Sequence, residues 1–314
     1  MQSQPHDDPL FSSEVVRGSV GVGTWAWGDR LLWGYGRGYS QPEVRGAFQA
    51  SVEAGLRLFD TAEIYGLGRS ERFLGQFAGG EDRPIIIATK FFPYPWRWRK
   101  ENLLEALRGS LRRLEMDRVD LYQMHFPFPP VPIETWMEGL ADAVDAGLTG
   151  SVGVSNYGVR EMRRAHAALA RRGVPLASNQ VAYHLLDRGP ERSGLLDACN
   201  ELGVTLIAHT PLARGLLTGK YTPLHRPPGL RRLRFSKTYL YTIQPLLRLL
   251  REIGDAHDGR SPAQVAVNWL ICKGTLPIPG AKSAQQAREN AGAAGWRLAP
   301  EAVDALDAAS SALE

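Results

Sequence analysis

The sequence predicts an α/β fold: a closed, parallel, eight-stranded (β/α)8 barrel of the TIM type with extra C-terminal helices. Three observations carry this. Short β-rich runs alternate with longer amphipathic segments through 314 residues, and parallel strands joined by helical crossovers are the natural assembly of such a pattern. The length suits one barrel, for which about 250 residues is typical. The GxGxxG fingerprint of the competing open, doubly wound sheet is absent, since Gly21 and Gly23 are followed by Ala26, and Gly66 and Gly68 by Glu71. Residues 215–220 read GLLTGK, but Tyr221 stands where a phosphate-binding P-loop needs Ser or Thr.

Each element has a local reason. The first β-rich run is 19–27, before a loop rich in Gly and Trp, and a helix is expected over 41–54. Strand 56–60 and helix 70–77 follow. Strand 85–90 opens with three isoleucines, as a strand buried on both faces does. Helix 100–114 places Leu103, Leu104, Leu107, Leu111 and Leu114 at helical spacing. Strand 119–125 precedes a helix, 133–146, that stops at Gly147. The second half repeats the rhythm: strand 151–154, helix 159–171, strand 176–180, helix 194–202 and strand 205–209. A Pro- and Arg-rich loop covers 210–238, then come helices 243–256 and 262–271, strand 276–279, and closing helices 284–293 and 300–309.

Composition excludes several classes. Hydrophobic residues make up 44% and charged residues 22%, as in an ordinary globular protein. The net charge of +4 suits anionic small molecules and gives no argument for a nucleic-acid partner. The two cysteines, Cys199 and Cys272, form no CxxC and read as core residues, and the histidines show no metal-ligand spacing. No apolar run reaches the length of a membrane span. Residues 1–15 are expected to be a disordered tail and 16–314 a single domain. A cytoplasmic location is expected, the plastid staying open if a transit peptide has been removed. Oligomeric state is not legible.

In such a barrel the reactive site lies at the C-terminal ends of the strands. There the sequence places Asp60, Lys90 and His125 on three successive strands, then Ser155 and Asn156, Gln180, His209 and Thr210, and Gly280 with Lys282 and Ser283. A lysine closing an apolar strand is costly unless paired, and Asp60 is its evident partner. A structural ion pair sealing the barrel is the alternative reading, and a lone histidine here is more often a satisfied core residue. Tyr65, five residues past Asp60, can lean over the mouth. A nearby Lys90 ammonium is expected to lower its phenol and make it a proton donor, with His125 donating a hydrogen bond to a substrate carbonyl. The set fits proton delivery to an oxygen while a hydride arrives at carbon.

GVGTWAWG (21–28), LFDTAEIYGLGRSE (58–71), IATK (87–90), DLYQMH (120–125), GVSNY (153–157), SNQVAYH (178–184), HTPLARGLLTGKY (209–221) and PIPGAKSAQQARENAGA (277–293) together resemble the aldo-keto reductase superfamily over nearly the whole chain. Within it the chain looks like the plant and cyanobacterial type of oxidoreductase, pyridoxal reductase-like. The resemblance implies an NADP-dependent carbonyl reductase with the tetrad Asp60, Tyr65, Lys90 and His125, Tyr65 being the acid. It implies NADPH as cofactor, with NADH open. It puts Trp25 beside the cofactor, Ser155, Asn156 and Gln180 on the nicotinamide carboxamide, and His209 on the ring. It also puts Pro211, Leu212, Arg214, Gly215 and Lys220 along the pyrophosphate, and counts Thr210 and Gly280 among the cofactor contacts. Lys282, Ser283, Gln286 and Asn290 match the adenosine 2′-phosphate and adenine end. Two departures bear on cofactor choice: His209 stands where the family usually has Tyr, and Gln286 where some members have Arg.

Trp25, Trp27, Phe92 and Trp96 are expected to form an aromatic substrate pocket for a small carbonyl compound, although a packed lid without a specificity role accounts for the same residues. Arg97, Arg99 and Lys100 read either as a site for an anionic group or as a solvated edge. Arg226, Arg231, Arg232, Arg234 and Lys237 read either as a lid over phosphates or as an exposed loop. Two other functions stay open: an NADPH-binding regulatory subunit with little turnover, as in potassium-channel β subunits, and a biosynthetic tailoring enzyme with one specialised substrate.

Overall fold

Side-chain alternation builds the interior. In β3 (Ile86–Phe91) the residues Ile86 and Ala88 join an inner apolar cluster, while Ile87 and Phe91 belong to the outer core under the helices. The same two-faced pattern runs through β1 (Val22–Gly23), β2 (Leu58–Asp60), β4 (Val119–Met124), β5 (Thr149–Ser155), β6 (Leu176–Ala182), β7 (Thr205–His209) and β8 (Leu276–Ile278). The structure, a computed structural model, describes residues 19–227 and 235–313. The expected tail, 1–15, and Arg231, Arg232 and Arg234 lie outside the described residues.

The strands pair in parallel and in sequence order, β1 to β8. The seam closes where Gly21 N–H donates to Pro277 O (2.9 Å) and Gly23 N–H to Pro279 O (3.1 Å). Backbones approach so closely there that a Cβ on Gly23 would lie 2.9 Å from Ile278 O. The expected (β/α)8 barrel is therefore the observed one, with helices Gln244–Asp255 and Pro300–Ser311 packed together at the C-terminal side. Among the described residues no helix is long and apolar enough to cross a membrane.

Leu58, Ala88, Leu121, Ala177, Ile207, Leu276 and Ile278 fill the barrel floor. Above this apolar layer the interior turns polar, and that end carries the site. A bulge contributes. The β5–β6 register steps from Val152↔Leu176 to Gly153↔Ser178, and the extra residue turns Gln180 inward.

Two expected elements differ. Only Val22–Gly23 of the run 19–27 is strand, because the chain turns at once, Trp27 N–H donating to Thr24 O at 2.8 Å. The expected loop 210–238 contains a 3₁₀ turn, Ala213–Thr218, and its end opens a helix, Lys237–Thr242, capped by Ser236 accepting from Tyr239 N at 3.0 Å.

Helix Arg69–Ala78 sits so tightly on the following helix, Lys100–Leu114, that a Cβ on Gly75 would lie 2.3 Å from Leu114 O. Gly→Ala inside a helix gains about 1 kcal/mol in propensity, whereas overpacking costs about 1–3 kcal/mol. The clash is with backbone, so the cost wins. We predict that Gly75→Ala lowers the thermal midpoint, measured by circular dichroism; a rise would show that the two helices separate freely.

Candidate active site

Three fully buried hydroxyls fix the turn that carries Tyr65. Thr24 Oγ1 donates to Asp60 O (2.9 Å), Thr61 Oγ1 donates to Ser70 Oγ (2.9 Å), and Ser70 Oγ donates to Thr24 O (3.1 Å). Tyr65 N–H donates to Ala62 O at 3.0 Å, closing the turn. Behind it, buried Glu71 accepts from Thr89 Oγ1 and from Arg113 Nε, both at 2.6 Å, which ties the next helix to β3.

Asp60 and Lys90 meet inside the barrel, Nζ to Oδ2 at 2.5 Å, with the ammonium fully buried. Lys90 Nζ also donates to Thr61 O at 2.8 Å. The other carboxylate oxygen of Asp60 accepts from Gln180 Nε2 (2.7 Å) and Gln123 Nε2 (3.4 Å). The Lys90 ammonium lies 5.2 Å from the Tyr65 ring centroid. The Tyr65 ring stacks on Trp25 (6.1 Å between centroids) and stands edge-on to His125 (5.9 Å). The four expected catalytic side chains are thus in one cluster, although they come from three strand ends and a turn.

The charge states differ from expectation at one point. Burial, seconded by the Asp60 carboxylate, pushes the Tyr65 phenol well above its usual range. Whatever stabilisation the Asp60-paired Lys90 gives the phenolate, burial and the Asp60 carboxylate outweigh it. Burial also lowers Lys90 against the opposing pull of Asp60. Burial first, and then the positive charge of Lys90, holds His125 well below the usual imidazole range. The cluster therefore presents a phenol that keeps its proton and a neutral imidazole.

A cavity of about 920 Å³ opens over this cluster. Asp60, Tyr65, His125 and Phe92 line one end, and every expected cofactor residue except Ser283 lines the cavity too. The Ser283 hydroxyl caps helix Ala284–Ala291 instead, accepting from Gln286 N at 3.4 Å. Asn156, at φ +61°, donates to His125 O (3.0 Å), and its Oδ1 lies 3.3 Å from His209 Nε2. His209 Nδ1 lies 2.6 Å from Thr210 Oγ1, so both ring nitrogens are held in place, and burial lowers this imidazole to about 3. Thr210, Ala213, Arg214 and Gly215 all adopt left-handed backbone. Such strain costs about 1–3 kcal/mol per non-glycine residue and gathers at ligand clamps. The Lys282 ammonium donates to Trp33 O (3.0 Å) and sits between the Trp33 and Tyr39 rings, 4.7 and 4.6 Å from their centroids.

Two expected pocket residues lie elsewhere. Trp27 is fully buried in the outer core between the barrel and its helices, its Nε1–H donating to Ala281 O at 2.8 Å and its ring packed on Phe59 and Phe77. Trp96 is 69% exposed and stacks on Tyr94, outside the cavity. In their place Phe126, Ile64 and Leu32 line the cavity, with Gln285 and Glu289 at the far end. Phe126 stacks flat on His125 at 4.8 Å; its position directly after His125 was the available signal. Of the basic residues after β3, Arg97 pairs with Glu63, Lys100 pairs with Asp142 at 2.6 Å, and Arg99 is exposed.

A parallel barrel thus carries a buried carboxylate–ammonium pair, a phenol and an imidazole at its C-terminal mouth, at one end of a large cleft. Residues 19–311 match the Aldo/keto reductase family, and the chain belongs to it. It is 42% identical over 292 residues to the chloroplastic pyridoxal reductase of Arabidopsis thaliana, covering 89% of this chain and 79% of that protein. It is 43% identical over 298 residues to an uncharacterized oxidoreductase of Mycobacterium bovis, covering 93% and 89%. The aldo-keto reductase of Klebsiella pneumoniae, solved in complex with NADPH, superposes with a TM-score of 0.71 at 29% identity, covering 92% of this chain and 90% of that one.

The buried imidazoles make stability depend on pH. His184 is lowered to about 4 and His209 to about 3, and the unfolded chain protonates both near 6.5. Between those values the unfolded state binds more protons, so stability is full above about pH 6.5 and falls on acidification. We predict a thermal midpoint that drops between about pH 6.5 and 4.5, above the range where unfolded carboxylates titrate. His209→Gln should flatten that drop; an unchanged slope would remove His209 from the account.

Proposed function

We propose that this protein reduces an aldehyde or ketone, aromatic or heteroaromatic, to the alcohol with NADPH. One observation carries the reading: Tyr65 is held with its proton between Trp25 and the Asp60–Lys90 pair, at one end of a cleft whose other end is polar and basic. The similarity to a pyridoxal reductase supports a heteroaromatic aldehyde.

The residues fit a dinucleotide. Ser155 and Asn156 stand beside His125, their donors now given to Gln180 O, His125 O and Ser155 Oγ and able to exchange these for the carboxamide, and Gln180 keeps its side-chain carbonyl oxygen after its Nε2–H is given to Asp60. The strained segment 210–215 and Lys220 would line the pyrophosphate. Lys282, ahead of the Ser283-capped helix, would meet the 2′-phosphate, the helix N-terminus being suited to an anion. NADPH, when bound, supplies hydride to the carbonyl carbon.

Tyr65 gives its proton to the carbonyl oxygen, and the phenolate left behind is stabilised by the nearby Lys90 ammonium, which Asp60 keeps in place. His125, neutral, is suited to donate a hydrogen bond to the same oxygen without competing as an acid. Trp25, Phe92 and Phe126 bound the space for the substrate ring.

Following NADPH absorbance with 4-nitrobenzaldehyde and pyridoxal tests this. Tyr65→Phe should lose about 10²–10⁴-fold in kcat while still binding NADPH. Tight NADPH binding with no turnover by the wild type would instead favour a regulatory subunit. Because Tyr65 keeps its proton to well above pH 10, reduction should show no alkaline fall between pH 7 and about 10. Alcohol oxidation, which needs the phenolate, should rise with pH over the same range. A reduction rate that halves near neutrality would mean that another group is the acid.

A further inference from the structure

We infer that the substrate end of the cavity selects an uncharged aromatic carbonyl compound over an anionic one, and that Glu63 sets this preference by neutralising Arg97. The inference rests on the reductase reading for the nature of the substrate, and concerns which substrates the same site admits.

The cavity is electrically divided. Among the described residues its lining cations, Arg214, Lys220 and Lys282, all follow β7 or β8. The wall built after β1 to β4, by Trp25, Trp33, Ile64, Phe92 and Phe126, contributes no lining cation among the described residues. It does contain a carboxylate, Asp29, whose Oδ1 accepts from the backbone N–H of Leu32 (2.8 Å) and of Trp33 (3.1 Å).

A guanidinium is packed behind this wall, outside the cavity lining, and its charge is already matched. Arg97 donates to both carboxylate oxygens of Glu63, the Nη2–Oε2 distance being 3.0 Å, and Nη1 also donates to Phe92 O at 2.8 Å. Its flat face covers the rings of Phe91 and Tyr94, 4.7 and 5.0 Å from their centroids. Glu63 Oε1 accepts in addition from Phe92 N–H at 2.7 Å. Glu63 therefore joins the turn carrying Tyr65 to the loop carrying Phe92 and cancels the positive charge that Arg97 brings to that contact. A phosphate or carboxylate on the substrate would lose water beside Phe92 and Phe126, where no residue after β2 to β4 among the described residues lines the cavity with a cation. An uncharged ring would meet Phe92 and Phe126 with nothing left unpaired.

Two aldehydes alike in shape and different in charge test this: 4-formylbenzamide and 4-carboxybenzaldehyde. Their kcat/KM with NADPH would be measured for the wild type, Glu63→Gln and Glu63→Gln/Arg97→Gln, and their binding to the NADP⁺-loaded proteins by tryptophan fluorescence. The wild type should favour the amide by at least about tenfold in both measurements. In Glu63→Gln the side-chain amide oxygen would still accept from Phe92 N–H while the guanidinium is uncovered. The preference should then shrink at least about threefold, mainly through KM of the carboxylate, and return in the double variant. Comparing variants on one substrate pair cancels the intrinsic reactivity of the aldehydes. A wild type that takes both alike, or a preference that Glu63→Gln leaves unmoved, overturns the inference and leaves the reductase reading standing. A binding preference that follows the same variants without turnover of either aldehyde upholds the inference and sinks the reductase reading.

Discussion

The Asp60–Lys90 pair is the constraint on which the upper half of the barrel depends. Two opposite charges at 2.5 Å, in a space floored by Leu58, Ala88, Leu121 and Ile278, must each have their remaining valences filled. Removing one partner of such a pair costs about 3–5 kcal/mol, because the other is left charged and uncompensated. The surrounding polar atoms are arranged accordingly. Thr61 turns its carbonyl onto the ammonium, and two glutamines from β4 and β6 turn their amides onto the carboxylate. Gln180 reaches Asp60 only because the β6 bulge shifts its side chain inward.

That arrangement decides the charge states around it. A paired Lys90 has little field to spare for Tyr65, so burial dominates and the phenol keeps its proton. The same burial keeps His125 neutral. Two groups that are both able to donate are thereby separated in role: one holds a transferable proton, the other a hydrogen bond. What stabilisation Lys90 gives the phenolate lowers the cost of the proton transfer without reversing the shift that burial imposes.

Most of this was legible in the chain, since strand ends can be read from where an apolar run meets a polar residue. Asp60, Lys90, His125, Gln180 and His209 stand at such points, and all but the fully buried Lys90 line the cavity. Directions in loops were not legible. Trp27 stands two residues from Trp25, yet the turn at Thr24 sends one into the outer core and the other to the cavity. Loops have no period from which a side chain's direction follows, and Trp96 was misplaced for that reason. The sign of the Tyr65 shift was also hidden, because it depends on whether Asp60 or Tyr65 takes the field of Lys90, a question of distances. The Glu63–Arg97 pair was hidden likewise: the residues are 34 apart and meet only because the loops after β2 and β3 are neighbours.

The division of labour in the cleft follows chain order. Loops after β1 to β4 give the proton donor, the imidazole and the aromatic wall; loops after β5 to β8 give the amides, the strained turn and the lining cations. A closed barrel makes neighbours of the first and last loops, so the two halves meet at the seam as well as at His125. There Lys282 crosses from the β8 loop to the carbonyl of Trp33 and lies between two aromatic rings of the β1 loop. A cation held this way makes the wall beside the substrate depend on a residue from the cofactor half. The hydrogen bonds from Asn156 to His125 O and between Asn156 and His209 do the same across the middle of the mouth. The halves are chemically distinct, but neither half's geometry is set by its own residues alone.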